Sequence, residues 1–187
     1  MECARASAEV LRPGGLELTD HALRLCALAP GARVLDVGCG TGAAVRHLRE
    51  RHGYDAFGID PAAAGPNCSR GSAESLPAGD ASCECVLCEC VLSLVRDAER
   101  AVREMRRVLK PGGRAIVSDV YDRSLPGLLP DLLCRCGLAV EIFQDHSRSL
   151  REFAAAAALR GKTCAEFLPG GIDPKRAGYC LVIARKD

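Results

Sequence analysis

The chain has 187 residues, of which 48% are hydrophobic and 26% are charged, and its formal net charge is +1. This length and composition predict one globular domain, residues 1–187, that is large enough to bury a hydrophobic core. The balanced charge and the lack of Trp argue against a nucleic-acid partner held by bulk electrostatics or by base stacking. No apolar run is long enough to span a bilayer, so we expect no membrane partner.

The N-terminal residues bear on the cellular compartment. Residues 1–15 mix Glu and Arg side chains and lack the basic-then-apolar order of a signal peptide. We therefore expect a cytoplasmic protein whose thiols are reduced.

The twelve cysteines are densest in CECVLCEC. In a regular strand, Cys83 and Cys85 would share one face and Cys88 and Cys90 the other. Four thiolates on two faces cannot close one tetrahedral zinc site. We therefore predict cysteines that pack as small buried hydrophobic residues, and no metal site.

Apolar, β-rich runs alternate with helical patterns along the chain. Strands are predicted in ARVLDVG, YDAFGID, CECVLCECVLSL, RAIVSDVY, LAVEIFQDH and GYCLVIARK. Helices are predicted in TGAAVRHLRERHG, RDAERAVREMRRVLK and LPGLLPDLLCRCG, and up to Leu159. Thr19 is a candidate N-cap in residues 1–30, which we interpret as a helical lid or edge, and Ser149 and Glu152 predict a capping box. The alternation predicts an α/β fold with a mostly parallel sheet and helices on both faces.

The segment VLDVGCGTG, Val34 to Gly42, predicts a loop that holds a ligand against its backbone. It leaves the carboxyl end of a strand, and glycines at Gly38 and Gly40 remove the Cβ atoms where a ligand would approach. Asp60 follows Gly40 by 20 residues, at the end of the second strand, where an acid can accept hydrogen bonds from a ribose. A nicotinamide-dependent oxidoreductase would use the same geometry. The G-x-G-x-G spacing and Asp36 argue against it, because the dinucleotide motif is G-x-G-x-x-G.

Four segments in order resemble the class I S-adenosylmethionine (SAM) methyltransferases, of the small type 11 kind. They are VLDVGCGTG, GID at Asp60, GSAESLPAGDASCECVLCECVLSLV and VLKPGGRAIVSDV, and they run from Val34 to Val120. The resemblance implies a Rossmann-like sheet of seven strands with an antiparallel last strand. It also implies SAM as cofactor, S-adenosylhomocysteine as product and transfer of a methyl group to a small molecule.

The resemblance further implies a set of cofactor-binding positions. Asp36, Gly38, Cys39 and Gly40 would surround the methionine part of SAM. The remaining positions are the ribose acid Asp60 with the adjacent Pro61, then Ser72, Ala73 and Glu74 at the adenine, and Cys88, whose carbonyl would face the SAM amino group. Ser72 stands where relatives often carry Asp, and Cys83 and Glu84 replace a usual Phe-Asp pair.

A sulfonium methyl group is already activated, so the protein must mainly hold the nucleophile in line and exclude water. If the acceptor is an alcohol or an amine, a general base helps. The candidate catalytic residues follow the predicted fourth, fifth and sixth strands: Glu89, Tyr121 and His146. Each of them also fits a purely structural role in a loop or a second layer of contacts.

Two other functions remain open at this level. SDVYDRSLP is similar to the fifth-strand region of arsenite methyltransferases, which suggests a metalloid acceptor bound by Cys68 with Cys134 or Cys136. A protein that binds SAM or a metal without catalysis is the other alternative. We expect a monomer or a homodimer.

Overall fold

The computed structural model describes residues 12–161, 163, 168–170 and 172–187. The strands are β1 Arg33–Val37, β2 Asp55–Asp60, β3 Cys68–Arg70, β4 Cys83–Glu89, β5 Leu109–Asp122, β6 Leu138–Asp145 and β7 Ala177–Lys186. The helices are α1 Gly15–Cys26, α2 Ala43–His52, α3 Ala98–Val108, α4 Leu128–Arg135 and α5 Ser147–Leu159. Within this part of the chain, no helix is long and apolar enough to cross a membrane.

All seven strands form one sheet in the order β3-β2-β1-β4-β5-β7-β6. The neighbours from β3 to β5 are parallel, and β7 runs antiparallel between β5 and β6. The predicted Rossmann-like fold with an antiparallel last strand is therefore confirmed. The strand order reverses between β1 and β4, which is where ligands bind in open α/β sheets.

The hydrophobic core consists of two layers, one on each face of the sheet. In one layer Met105 of α3 and Leu133 of α4 are fully buried. In the other layer Leu23 of α1, Leu48 of α2 and Leu150 of α5 cover the opposite face. These residues form the apolar stripes of amphipathic helices, so each helix is fixed by burial against the sheet.

Strand β4 contains an irregularity that the sequence pattern did not predict. Its pairing with β5 shifts register between Cys83 and Cys85, as in a β-bulge. Cys83 and Cys88 consequently pack in the core layer of α3, while Cys85 packs in the layer of α1. The expected pairing of Cys83 with Cys85 on one face was wrong, because the register irregularity between the two residues interrupts the regular alternation of side chains.

Two predicted helix starts were also wrong. Helix α1 begins at Gly15 after Gly14, which has a φ of +76°, so Thr19 lies inside the helix and is buried. Helix α5 begins at Ser147, whose N–H donates a hydrogen bond to Asp145 over 2.6 Å. The N-cap of α5 is His146, whose side chain makes no capping hydrogen bond, so the capping box predicted at Ser149 and Glu152 is not the start of this helix.

Candidate functional site

Two adjoining hollows open above the carboxyl ends of β1, β2 and β4. The larger has a volume of about 440 Å³ and the smaller about 300 Å³, and both are lined by Gly38 and Cys90. The larger hollow is also lined by the predicted residues Asp60, Pro61, Ser72, Ala73 and Glu74. The smaller is also lined by Asp36, Cys39, Gly40, Glu89 and Arg12. Their combined size suits one elongated small molecule.

The loop between β1 and α2 forms the floor of both hollows. Gly38 has a φ of +78°, and a Cβ added there would lie 2.1 Å from Cγ2 of Val91. Gly40 has a φ of +51°, and a Cβ added there would meet no atom within 4 Å. Gly38 is therefore required for packing against the segment after β4, whereas a side chain at position 40 would enter free space and meet only the strain of a positive φ.

Asp36 is a buried acid in the smaller hollow. Its side chain accepts no hydrogen bond from any residue within the described ranges, although the residue is 4% exposed. Burial and the neighbouring Glu89 raise the pKa of Asp36 to about 7. A carboxylate in this position is stabilised by a cationic ligand group, because such a group would supply the missing counter-charge.

Glu89 lies beside Asp36 and is bound by two residues from the start of the described chain. The Arg12 guanidinium contacts the Glu89 carboxylate at 2.6 Å, and the Thr19 hydroxyl lies 3.2 Å from both of its oxygens. Burial raises the pKa of Glu89, and Arg12 and Thr19 offset only part of this effect. Glu89 is therefore an ion-paired acid at the wall of the hollow and not an isolated base.

Arg12 lines the smaller hollow and pairs with Glu89, although the sequence did not point to it as a site residue. It precedes α1 and is far in sequence from the loop between β1 and α2, which we call the glycine loop. No motif contains it. Its Nε is buried and has no hydrogen-bond partner among the described residues. Since Arg12 lines the smaller hollow, its guanidinium brings positive charge to a ligand bound there.

Asp60 connects β2 to the glycine loop. Its carboxylate accepts hydrogen bonds from the N–H of Gly40 at 3.0 Å and from the N–H of Ala62 at 2.7 Å. Each oxygen keeps a further lone pair, so the carboxylate can still accept a hydrogen bond from a ligand hydroxyl.

Glu74 lines the larger hollow and connects its wall to the start of α3. Its carboxylate accepts the N–H of Asp97 at 2.8 Å, and its carbonyl accepts Nε of Arg100 at 2.8 Å. Ser72 is bound locally, since its hydroxyl accepts the N–H of Glu74. Glu74 thus fixes the wall beside Ala73 through the N-terminus of α3.

The structure does not bring the Cys88 side chain to either hollow. Cys88 is fully buried, and Cys90, with a φ of +59°, lines both hollows in its place. The predicted contact through the Cys88 carbonyl remains a prediction.

The other two predicted catalytic residues lie apart from Glu89. Tyr121 lines a third hollow of about 530 Å³ between the ends of β4 and β5 and the segment around α4, and its hydroxyl donates to Asp145 at 3.0 Å. Burial and Asp145 raise its pKa. His146 lies at the end of β6, where its Nε2 is 3.1 Å from the Gln144 side chain, and burial lowers its pKa. The structure therefore does not assemble Glu89, Tyr121 and His146 into one group.

The cysteines suggested for a metalloid do not meet either. Cys68 lies on the edge strand β3 and packs with the core layer of α1 and α2. Cys136 packs in the opposite layer, and its thiol donates to the Glu99 carbonyl at 3.6 Å, while Cys134 is exposed on α4. Since the sheet separates Cys68 from Cys136, these thiols cannot bind one arsenic atom together.

Comparison with known proteins relates the sequence of this chain to methyltransferases. A family model described as a methyltransferase domain matches residues 35–117. An arsenite methyltransferase of Halobacterium salinarum is 33% identical over 147 residues, which cover 67% of this chain and 38% of that protein. The chain spans less than half the length of the curated relatives it matches.

Solved structures share the fold at low sequence identity. The [4+2]-cyclase SpnF aligns with a TM-score of 0.74 and 23% identity over 91% of this chain and 80% of its own. A phosphoethanolamine N-methyltransferase 2 of Haemonchus contortus, in complex with S-adenosyl-L-methionine, aligns with a TM-score of 0.76 and 14% identity over 96% of this chain and 54% of its own. One of these proteins is named a cyclase, so the shared fold does not by itself establish the reaction.

Proposed function

We propose that the chain is a class I SAM-dependent methyltransferase that transfers the methyl group of SAM to a small-molecule acceptor, and the methyltransferase family model and the similar arsenite methyltransferase support this. The observation that carries the proposal is Asp36, a buried carboxylate without a hydrogen-bond partner among the described residues, at the wall of the smaller hollow. A cationic ligand group in this hollow would compensate its charge.

The charges around the smaller hollow match the methionine part of SAM. This part carries an ammonium, a carboxylate and a sulfonium. Asp36 would hold the ammonium group, and the Arg12 guanidinium, which also lines this hollow, would attract the carboxylate. Glu89 keeps Arg12 in place through their ion pair.

The larger hollow would hold the adenosine part. Asp60 would accept hydrogen bonds from the ribose hydroxyls, and the wall of Ser72, Ala73 and Glu74 would lie at the adenine. Arg96 and Leu94 at the rim of this hollow would cover the adenine face.

When bound, SAM supplies an activated methyl group, so the residues of this chain need only position the acceptor and exclude water. We assign Glu89 to positioning, because its carboxylate is already paired with Arg12. Tyr121 is our candidate for contact with the acceptor, because it lines the third hollow. His146 lines none of the three hollows, so we assign it no contact with the acceptor.

The third hollow also suggests the acceptor's chemistry. It lies next to the larger hollow, since Leu92 and Ser93 follow directly on Val91. Its lining includes Leu125 and Leu128, which are 57% and 64% exposed. An apolar molecule bound there would cover these side chains. We accordingly propose a small apolar acceptor. From the charge and composition of the sequence we also propose no nucleic-acid partner and a cytoplasmic location.

Methyl transfer from labelled SAM to a panel of apolar alcohols, amines and thiols tests the proposal. Leu128→Glu should lower transfer to the accepted compounds without changing SAM affinity, because a charge would enter the acceptor hollow. Leu159→Glu is the matched control, since Leu159 is 91% exposed on α5 and lines none of the three hollows. Binding of SAM without transfer to any compound would contradict the proposed activity, and equal transfer by both variants would contradict the proposed acceptor hollow.

A further inference from the structure

A cluster of three metal-ligating side chains lies between α1 and α2, outside the three hollows. Oδ1 of Asp20 lies 2.6 Å from Nε2 of His47 and 2.7 Å from Nε2 of His52. One ligand atom from each residue lies within 4.8 Å of the other two. Two imidazole nitrogens thus converge on a single carboxylate oxygen.

The cluster is partly shielded and its orientation is supported. The side chains of His47, His52 and Asp20 are 15%, 25% and 30% exposed. The His52 ring stacks on Tyr54 with a centroid distance of 5.5 Å and meets the His47 ring edge-on at 5.4 Å. These ring contacts hold both Nε2 atoms towards Asp20, while the remaining exposure gives solvent access.

We propose that Asp20, His47 and His52 bind a divalent transition-metal ion of the zinc class. Two imidazoles and one carboxylate match the three protein ligands of an open zinc site, in which water takes the fourth position. Imidazole ligands favour zinc, copper, iron or nickel over Mg²⁺ and Ca²⁺, which prefer oxygen ligands. The ion neutralises the Asp20 carboxylate and replaces the two hydrogen bonds.

The metal-bound geometry requires a small side-chain movement. With metal–ligand bonds of about 2.0–2.1 Å, ligand atoms of a tetrahedral site lie roughly 3.3 Å apart, about 0.7 Å more than the present hydrogen-bond distances. Because all three side chains lie at the surface of their helices and are partly exposed, rotations about their χ angles supply this change.

A metal here would tie the N-terminal helix to the cofactor loop. Asp20 follows Thr19, whose hydroxyl contacts Glu89 at the smaller hollow, and α2 begins directly after the glycine loop. An ion that joins α1 to α2 would hold Thr19 and Arg12 over that hollow. Its effect is structural, and the test below does not depend on methyl transfer.

Titration of chelator-treated protein with Co²⁺ tests the proposal, because cobalt reports its ligands by its visible spectrum. We expect one equivalent to give d–d bands of a nitrogen and oxygen site without a sulfur-to-metal charge-transfer band, and Zn²⁺ to displace it. Exclusion of thiolates matters because the chain has twelve cysteines. The melting temperature should rise when Zn²⁺ is added.

Variants then locate the site. Asp20→Asn and His52→Gln should each weaken Co²⁺ binding at least tenfold, in line with the loss of one ligand. His21→Gln is the matched control on α1: its Nε2 contacts the neutral Gln144 side chain and not the cluster, so binding should be unchanged. His52→Gln could disturb α2, because it removes a ring that stacks on Tyr54. Asp20→Asn keeps the shape of the side chain and its ability to accept hydrogen bonds, so this variant tests metal binding in a folded protein. Absence of d–d bands, a spectrum dominated by thiolate ligation, or equal binding by Asp20→Asn and the wild type would overturn the proposal.

Discussion

At the scale of single residues, Asp36 links protonation to cofactor binding. Burial and Glu89 raise its pKa to about 7, so a proton occupies much of this site at neutral pH. The ionised form is the one that attracts an ammonium group. We therefore expect SAM affinity to rise roughly tenfold between pH 6 and pH 8, as the proton leaves and the competent form becomes dominant. Calorimetry across this range measures the change, and a flat profile would show that Asp36 does not face the cation.

The Asp36→Asn variant provides the control for that pH dependence. It should bind SAM weakly at every pH, with no rise through pH 7. A carboxyl whose folded-state pKa lies above its unfolded value of 3.8 lowers stability as pH rises towards the folded pKa. The variant should thus be more stable than the wild type at pH 8, by roughly 1–3 kcal/mol. Urea unfolding checks this, and it separates loss of binding from loss of the fold.

Asp60 gives a second prediction at this scale. Asp60→Ala should weaken SAM binding by roughly 2–4 kcal/mol, because charge-assisted hydrogen bonds to the ribose are lost. The variant also loses the acceptor for the Gly40 N–H. Asp55→Ala is the matched control on the same strand, since Asp55 is exposed at the opposite end of β2 and pairs with Arg49. An equal dissociation constant for Asp60→Ala and the wild type would mean that Asp60 does not touch the ribose.

The residue scale also shows what sequence reasoning could reach. Asp36, Gly40 and Asp60 belong to contiguous motifs with fixed spacing, and the structure places all three on the hollows. Arg12 belongs to no motif, because its position depends on how α1 folds back over β4. Its role as the partner of Glu89 therefore became visible only in three dimensions.

At the scale of secondary structure elements, the loop between β1 and α2 depends on a glycine in the neighbouring strand. A Cβ on Gly58 would lie 2.5 Å from Sγ of Cys39 and 2.9 Å from Cγ2 of Val45. Gly58→Ala should push the glycine loop away from β2, lowering stability by roughly 1–3 kcal/mol and weakening SAM binding. Gly79→Ala is the control, since a Cβ there meets no atom within 4 Å. Thermal unfolding and calorimetry of both variants measure the effects, and matching behaviour of the two would refute the packing argument.

The elements that sequence reasoning missed are those set by tertiary contacts. Strand β3 has three residues, too few for a periodic pattern, and exists because it pairs with the end of β2. The irregularity between Cys83 and Cys85 arises from the pairing of β4 with β5, where residues 110–113 lie opposite one residue of β4, so local alternation could not reveal it. Long amphipathic elements such as α3 were predicted closely, because their apolar stripe is local information.

At the scale of the whole molecule, the sheet order determines where the site can form. Strand–helix alternation predicted the parallel sheet, and the carboxyl ends of β1, β2 and β4 carry the two adjoining hollows. The fold is shared with a protein named a cyclase, so it constrains the cofactor site more tightly than the reaction. In our proposal the acceptor would occupy the third hollow, whose apolar lining comes from α4 and the segments beside it.

The central claim is that the two adjoining hollows bind SAM, and calorimetric titration of the purified chain tests it most directly. The account predicts saturable binding of SAM and of S-adenosylhomocysteine to one site, lost in Asp60→Ala and retained in Asp55→Ala. It predicts no comparable heat with NAD, because the loop spacing and Asp36 disfavour a pyrophosphate. Tight NAD binding with no SAM heat would contradict the account.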